Sequence, residues 1–146
     1  MDHRKDRIGK LRLTKLPHEF YELYAFPFNW QAKAMELHRS ALILGQQFLH
    51  DSQHLSALIK EIEAGRLEKL PETPPSVMNQ FVLLAAFSLE NLFKGLVLFK
   101  EPHLIRRGKL TGILKSHDLL SLAARADVSL APEEHRFCVI ASNAAV

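Results

Sequence analysis

From Val77 to Lys100 the chain reads VMNQFVLLAAFSLENLFKGLVLFK, an apolar run with Glu90, Asn91 and Lys94 set into its middle. At ~100° per residue, Met78, Phe81, Val82, Ala85, Ala86, Leu89, Leu92, Phe93, Leu96 and Phe99 share one sector of roughly 140°. Asn79, Gln80, Ser88, Glu90, Asn91 and Lys94 fall on the other side, interleaved with Leu83, Phe87, Val97 and Leu98. That distribution predicts a helix packed on both faces. Glu90 and Lys94, four residues apart, are expected to pair close to buried surface.

A second helical period precedes it. Trp30, Ala34, Leu37, Ala41, Leu44, Phe48, Leu55, Ile59 and Ile62 stay within about 40° of one line, even across the polar patch at Asp51–Gln53. Preserved phase predicts one helix of roughly 35 residues, ~50 Å long; a pair of helices broken near Asp51 is the alternative. Asn29 stands where an N-cap is favoured and Gly65 where a helix stops. Pro71, Pro74 and Pro75 mark residues 66–76 as a linker, and the next helix starts near Ser76 and ends before Pro102. A basic loop follows from Glu101 to Lys115. Ser116 is placed to cap a short helix, and Pro132, Glu133 and Glu134 read as the first turn of a last one.

No strand-like alternation and no internal repeat is present. The expected architecture is all-α: a helical bundle with two long antiparallel helices (about 30–64 and 76–100) and shorter helices at about 117–126 and 131–146. Residues 1–28 form a basic arm and an aromatic cover segment, and 29–146 a single bundle domain. The last helix reaches Val146 without a stop signal, so further chain is expected beyond it.

Composition narrows the class. With 146 residues, 47% hydrophobic and 24% charged, the chain is globular and long enough for one core. A membrane span at 81–99 fits by length. However, Glu90 and Lys94 at its centre would each cost ~2.5–3.5 kcal/mol on insertion. A core helix, no membrane partner and a cytoplasmic location are the expectation. The single Cys138 excludes an internal disulfide and a thiolate zinc site. The net charge of +3 is uneven: residues 1–18 hold six cations against two carboxylates, leaving thirteen against fourteen for the remainder.

Candidate chemistry is sparse. His50 and His54 have metal-binding spacing, but both lie opposite the apolar line with Asp51 as the one carboxylate beside them, so no metal and no cofactor is expected. There is no Gly-rich phosphate loop and no nucleophile elbow. What stands out is Glu90-Asn91-Leu92-Phe93-Lys94-Gly95-Leu96, a basic loop, then Ser116-His117-Asp118-Leu119-Leu120.

Over roughly residues 75–140, this combination resembles the HEPN family of helical domains. Members show a Glu-x-x-x-Lys-(small)-Leu helix, a variable loop and a His-(Asp)-Leu start to the next helix. The resemblance implies a dimeric bundle that binds RNA or nucleotides, in a toxin or phage-defence setting. It makes Glu90, Asn91, Lys94, His117 and Asp118 the candidate polar cluster, and Arg106, Arg107, Lys109 and Lys115 the phosphate contacts. Ribonuclease members add a late Arg-x4–6-His. Here the late helix offers His135-Arg136 in the wrong order, so whether the chain is an enzyme stays open. Two readings of the cluster also stay open: a structural clamp between helices, or a ligand site. The alternative function is a non-catalytic homodimerisation module that uses Leu83, Phe87, Val97 and Leu98 as its interface.

Overall fold

The computed structural model describes residues 25–107 and 109–144; the basic arm and most of the cover segment lie outside them. In chain order these residues form α1 (Pro27–Glu63), α2 (Met78–Lys100), a 3-10 turn (Pro102–Leu104), β1 (Ile105–Arg106), β2 (Lys109–Leu110), a second 3-10 turn (Gly112–Lys115), α3 (Leu119–Arg125) and α4 (Pro132–Ala144). The protein is an all-α bundle. Its described sheet is a two-residue antiparallel ribbon pairing Ile105 with Leu110 and Arg106 with Lys109. The alternation rule cannot see so short a ribbon. Arg107, with φ of 50°, takes the left-handed turn position.

α1 is one unbroken helix of 37 residues. The Asp51 patch does not interrupt it, because Gln47 Nε2 donates to Asp51 Oδ1 at 2.7 Å along the solvent face. Its start differs from the expected Asn29 cap: Pro27 opens the helix and Asn29 already donates its N–H to Phe26 O. Proline lacks the donor that a cap would satisfy, so the first turn begins three residues earlier, with Phe26 in the cap position. The expected stop holds. Gly65, at φ 68°, donates to Ile62 O while Arg66 N donates to Glu61 O, a Schellman closure.

α2 returns antiparallel to α1. Ser88 Oγ donates to Ala34 O at 2.8 Å across the seam. At one end a Cβ on Gly95 would stand 3.1 Å from Trp30 Cβ and 3.3 Å from Pro27 O. Only a residue without a side chain permits that approach. α2 begins at Met78 rather than Ser76, whose Oγ instead accepts the Met78 N–H. α3, α4 and the second 3-10 turn pack on the Lys100 half of α2 and enclose Phe93, Val97, Leu114, Leu119, Leu122, Cys138 and Ala141.

The burial of α2 departs from the pattern. Val97 and Leu98, which the alternative homodimer reading puts at an interface, are 0% and 1% exposed in the core, while Leu83 and Phe87 are half-buried. In contrast Met78, Leu92, Leu96 and Phe99, from the predicted apolar sector, are exposed, Phe99 by 77%. α1 takes the Ser88–Gly95 side and α3 with α4 take the Ala86–Glu90–Val97 side, so that Val82 and Leu89 of the oily sector are half-buried against the core while Leu92, Leu96 and Phe99 stay exposed. Among the described residues, α2 is the helix long and apolar enough to cross a membrane, and half of its most apolar stretch is buried in the bundle.

Candidate functional site

Glu90 sits on α2 nearly three turns before its end at Lys100, on the side facing α3. Its side chain is 10% exposed and that of Lys94 is 4%. Lys94 Nζ donates to Glu90 Oε1 at 2.6 Å. The other carboxylate oxygen, Oε2, lies 3.0 Å from His117 Nδ1, just ahead of α3. One buried carboxylate thus holds a buried ammonium on one oxygen and an imidazole on the other. Because a carboxylate paired with an ammonium accepts but does not donate, Nδ1 carries the proton in this contact. The His117 side chain is 58% exposed, and Nε2 has no protein partner among the described residues.

Local sequence sets this placement. The turn ahead of α3 is fixed by Ser116 N donating to Ile113 O and Asp118 N donating to Ser116 Oγ. Asp118, not Ser116, is the N-cap. Its Oδ1 accepts the Leu120 N–H and its Oδ2 the Ser121 hydroxyl. The Ser121 hydroxyl is the main reason the Asp118 carboxyl lies below its ordinary range. Leu119 N donates to Ser142 Oγ, tying the start of α3 to α4. At its other end α3 is moored to α2 by Arg125 on Glu101 and by Lys100 on Asp127 and the Ala126 carbonyl. With both ends of a seven-residue helix fixed, His117 has little freedom to leave Glu90.

A shallow cavity opens beside the imidazole, lined by His117, Asp118, Leu120, Val139, Ser142 and Asn143. Of the predicted polar cluster, the structure joins Glu90, Lys94 and His117, with Asp118 adjacent as a cap. Asn91 stands apart: its Nδ2 donates back to Phe87 O on its own helix at 2.7 Å. Arg106, Arg107, Lys109 and Lys115 are all exposed, the first three on the ribbon and the last at the end of the second 3-10 turn. The ribbon is closed at its base by Thr111, whose N–H and hydroxyl both donate to Leu104 O. Arg106 Nε makes a long 3.4 Å contact to His103 O. Among the described residues none of these four cations pairs with a carboxylate.

Three further residues matter that the sequence reading did not single out. Ser88 links the helices, Ser142 fastens α3 to α4, and Gly95 admits Trp30. For Gly95 the signal was present as the small residue after Lys94. The other candidates recede. His50 is 76% exposed with Asp51 at 3.4 Å, and no group of three metal-ligating side chains gathers among the described residues. Cys138 is buried, and burial followed by the negative charge of Glu134 pushes its thiol up, away from the reactive thiolate.

No family model, no curated protein and no solved structure matches the chain.

Proposed function

We propose that this chain is a HEPN-like helical domain that binds RNA or nucleotides through their phosphates, with His117 at the centre of the site. The observation that carries the reading is the Glu90 carboxylate, shared between Lys94 at 2.6 Å and His117 Nδ1 at 3.0 Å. A histidine held at Nδ1 by a buried carboxylate presents a fixed Nε2, ready to accept a proton or to donate to a phosphate oxygen. The same device orients histidines at metal and catalytic centres, where the outer partner decides which ring nitrogen works. The exposed cations Arg106, Arg107, Lys109 and Lys115 supply the charge that long-range phosphate attraction requires. The resemblance to HEPN domains adds the setting, a toxin or phage-defence role in the cytoplasm.

The test is binding of a short single-stranded RNA measured against salt. Each phosphate neutralised contributes about 0.7 to the slope of log affinity on log salt. Replacing Arg106, Arg107 and Lys109 together with alanine is therefore expected to reduce the slope by about 2. His117→Ala should weaken binding at every salt concentration and leave the slope nearly unchanged. A response flat in salt would remove the electrostatic basis of the proposal.

A further inference from the structure

The oily sector of α2 leaves Leu92, Leu96 and Phe99 exposed, and they do not stand alone. Leu92, Leu96 and Phe99 line a groove with Pro27, Phe28 and Gln31 of α1. From Phe28 the apolar surface continues along α1 at intervals of seven: Phe28, Met35, Leu42 and Leu49 are 73%, 65%, 52% and 60% exposed. Seven residues are two turns less ~20°, so the four side chains form one stripe, ~32 Å long, about a third of a turn from the Trp30–Ala34–Ala41 line buried against α2. α1 is thus apolar on two faces, of which the bundle uses one.

We infer that this stripe, with the groove at its Phe28 end, is the surface on which two copies of the chain pair. Three observations favour a second copy. First, the size is right. With aromatic side chains carrying about 150–250 Å² each, the seven exposed residues hold on the order of 600 Å². That reaches the upper end of monomer patches, and a polar rim brings it near the ~800 Å² each partner contributes to a standard interface.

Second, the stripe is nearly free of charge. Between Phe28 and Leu49 the residues on its line and margins are Gln31, Ala32, His38, Arg39 and Gln46, so neither a highly basic nor a highly acidic partner is complemented. Third, the stripe is self-complementary about its middle. A two-fold axis beside His38 and Arg39, with the α1 helices antiparallel, sets Met35 against the partner's Leu42 and Phe28 against the partner's Leu49. Gln31 then meets the partner's Gln46, and each copy uses the same patch. Heptad spacing of this kind is what lets two helices stay in contact along their length. The surface is separate from His117 and the ribbon, so it stands whether or not the phosphate reading holds.

The experiment is the mass of the full chain in solution by light scattering across a hundredfold concentration range. The expected mass is twice the 16.6 kDa of one chain. Met35→Glu with Leu42→Glu should halve that mass while the helical circular dichroism stays. Ile140→Glu, at an equally exposed position on α4, should leave the dimer intact. Where the double variant fails to fold, single cysteines decide. Under oxidation His38→Cys, close to the axis, should cross-link two copies. Phe28→Cys, about 30 Å from its counterpart in the antiparallel pair, should not. The buried Cys138 gives little background in either. A monomer throughout, whether residues 1–24 of the same chain or another protein takes the stripe, overturns the proposal. So does a dimer that survives the double substitution, or one that cross-links at residue 28.

Discussion

Toward Pro27 and Lys100, the α1–α2 pair is roofed by α3, α4 and the second 3-10 turn, and Val97, Leu114, Leu119 and Leu122 are each no more than 1% exposed. Toward Gly65 and Met78 no further described helix roofs the pair, and only the linker comes close, its Thr73, Pro74 and Ser76 sharing a cavity with Phe48 and Leu55. There Leu55 and Ile59, which continue the phase of the buried Trp30, Ala34 and Ala41, are 37% and 42% exposed. Helical phase decides which way a side chain points. Its burial depends on whether a further layer arrives to cover it. The polar residues follow the same division. At the roofed end Glu90 and Lys94 are enclosed and paired, whereas at the open end Glu61 and Arg66 make an exposed pair that closes the helix terminus.

The sharpest break in that comparison is expected from Glu90→Ala. It strands the Lys94 ammonium in the roofed half, and losing one partner of a buried pair costs about 3–5 kcal/mol. Chemical denaturation followed by circular dichroism would read it. Replacing both groups, Glu90→Leu with Lys94→Met, removes the stranded charge, and stability is expected to return to that of the parent or to exceed it by about 1–4 kcal/mol. The double variant also takes the carboxylate from His117, so RNA binding should stay lost in a protein that is folded. Binding that returned with stability would make the cluster a clamp between helices and nothing more.

A second pair of substitutions tests the layers directly. Leu122→Ala removes a side chain that is fully buried and is expected to cost about 2–5 kcal/mol. Ile59→Ala, on a residue of the same apolar character, should cost less than about 1 kcal/mol because water already reaches it. Equal losses at the two sites would mean that the open end is covered in solution.

How far the sequence reaches follows the same line. The two long helices were legible because their apolar residues recur over many turns, and the Gly65 stop and the Pro132 start carry strong local signals. The Glu90–Lys94 pair and the nearness of His117 could be read from i, i+4 spacing and the Ser116-His117-Asp118 start. Packing on both faces of α2 was legible, but the alternative that made Val97 and Leu98 interface residues misses their burial in the core, for a tertiary reason. α2 meets α1 along the Phe81–Ser88–Gly95 line, two of whose three residues are small. That contact rotates the largest side chains partly out of the core. Cap identity failed for a local one: Ser116 and Asp118 are both capping residues two positions apart, and the contest is decided by the 3-10 turn ending at Lys115. The ribbon at 105–110 rests on two residue pairs and leaves no period to detect.

The smallest expected effect concerns acid, and it separates the ends by their response to salt. Asp118 and Glu61 both have carboxyl groups held below their ordinary values of 3.8 and 4.5, chiefly by Ser121 and by Arg66 respectively. A carboxyl whose value is depressed on folding contributes stability that is complete above its ordinary value and lost as the pH falls through the depressed one. Both ends are therefore expected to weaken below about pH 4. The partners differ, however. Arg66 is a charge in open water, and in 1 M salt the screening length falls to about 3 Å, so the acid dependence contributed by Glu61 should largely disappear. Asp118 is held by a hydroxyl and the Leu120 amide, which carry no net charge to screen. Acid titrations in low and high salt, followed by circular dichroism, should leave a residual transition in the parent that Asp118→Asn removes. Asparagine still offers an oxygen to the Leu120 N–H, so the cap on α3 survives while its titration does not. Should the residual transition persist in Asp118→Asn, the Asp118 carboxyl is not what makes the roofed end sensitive to acid.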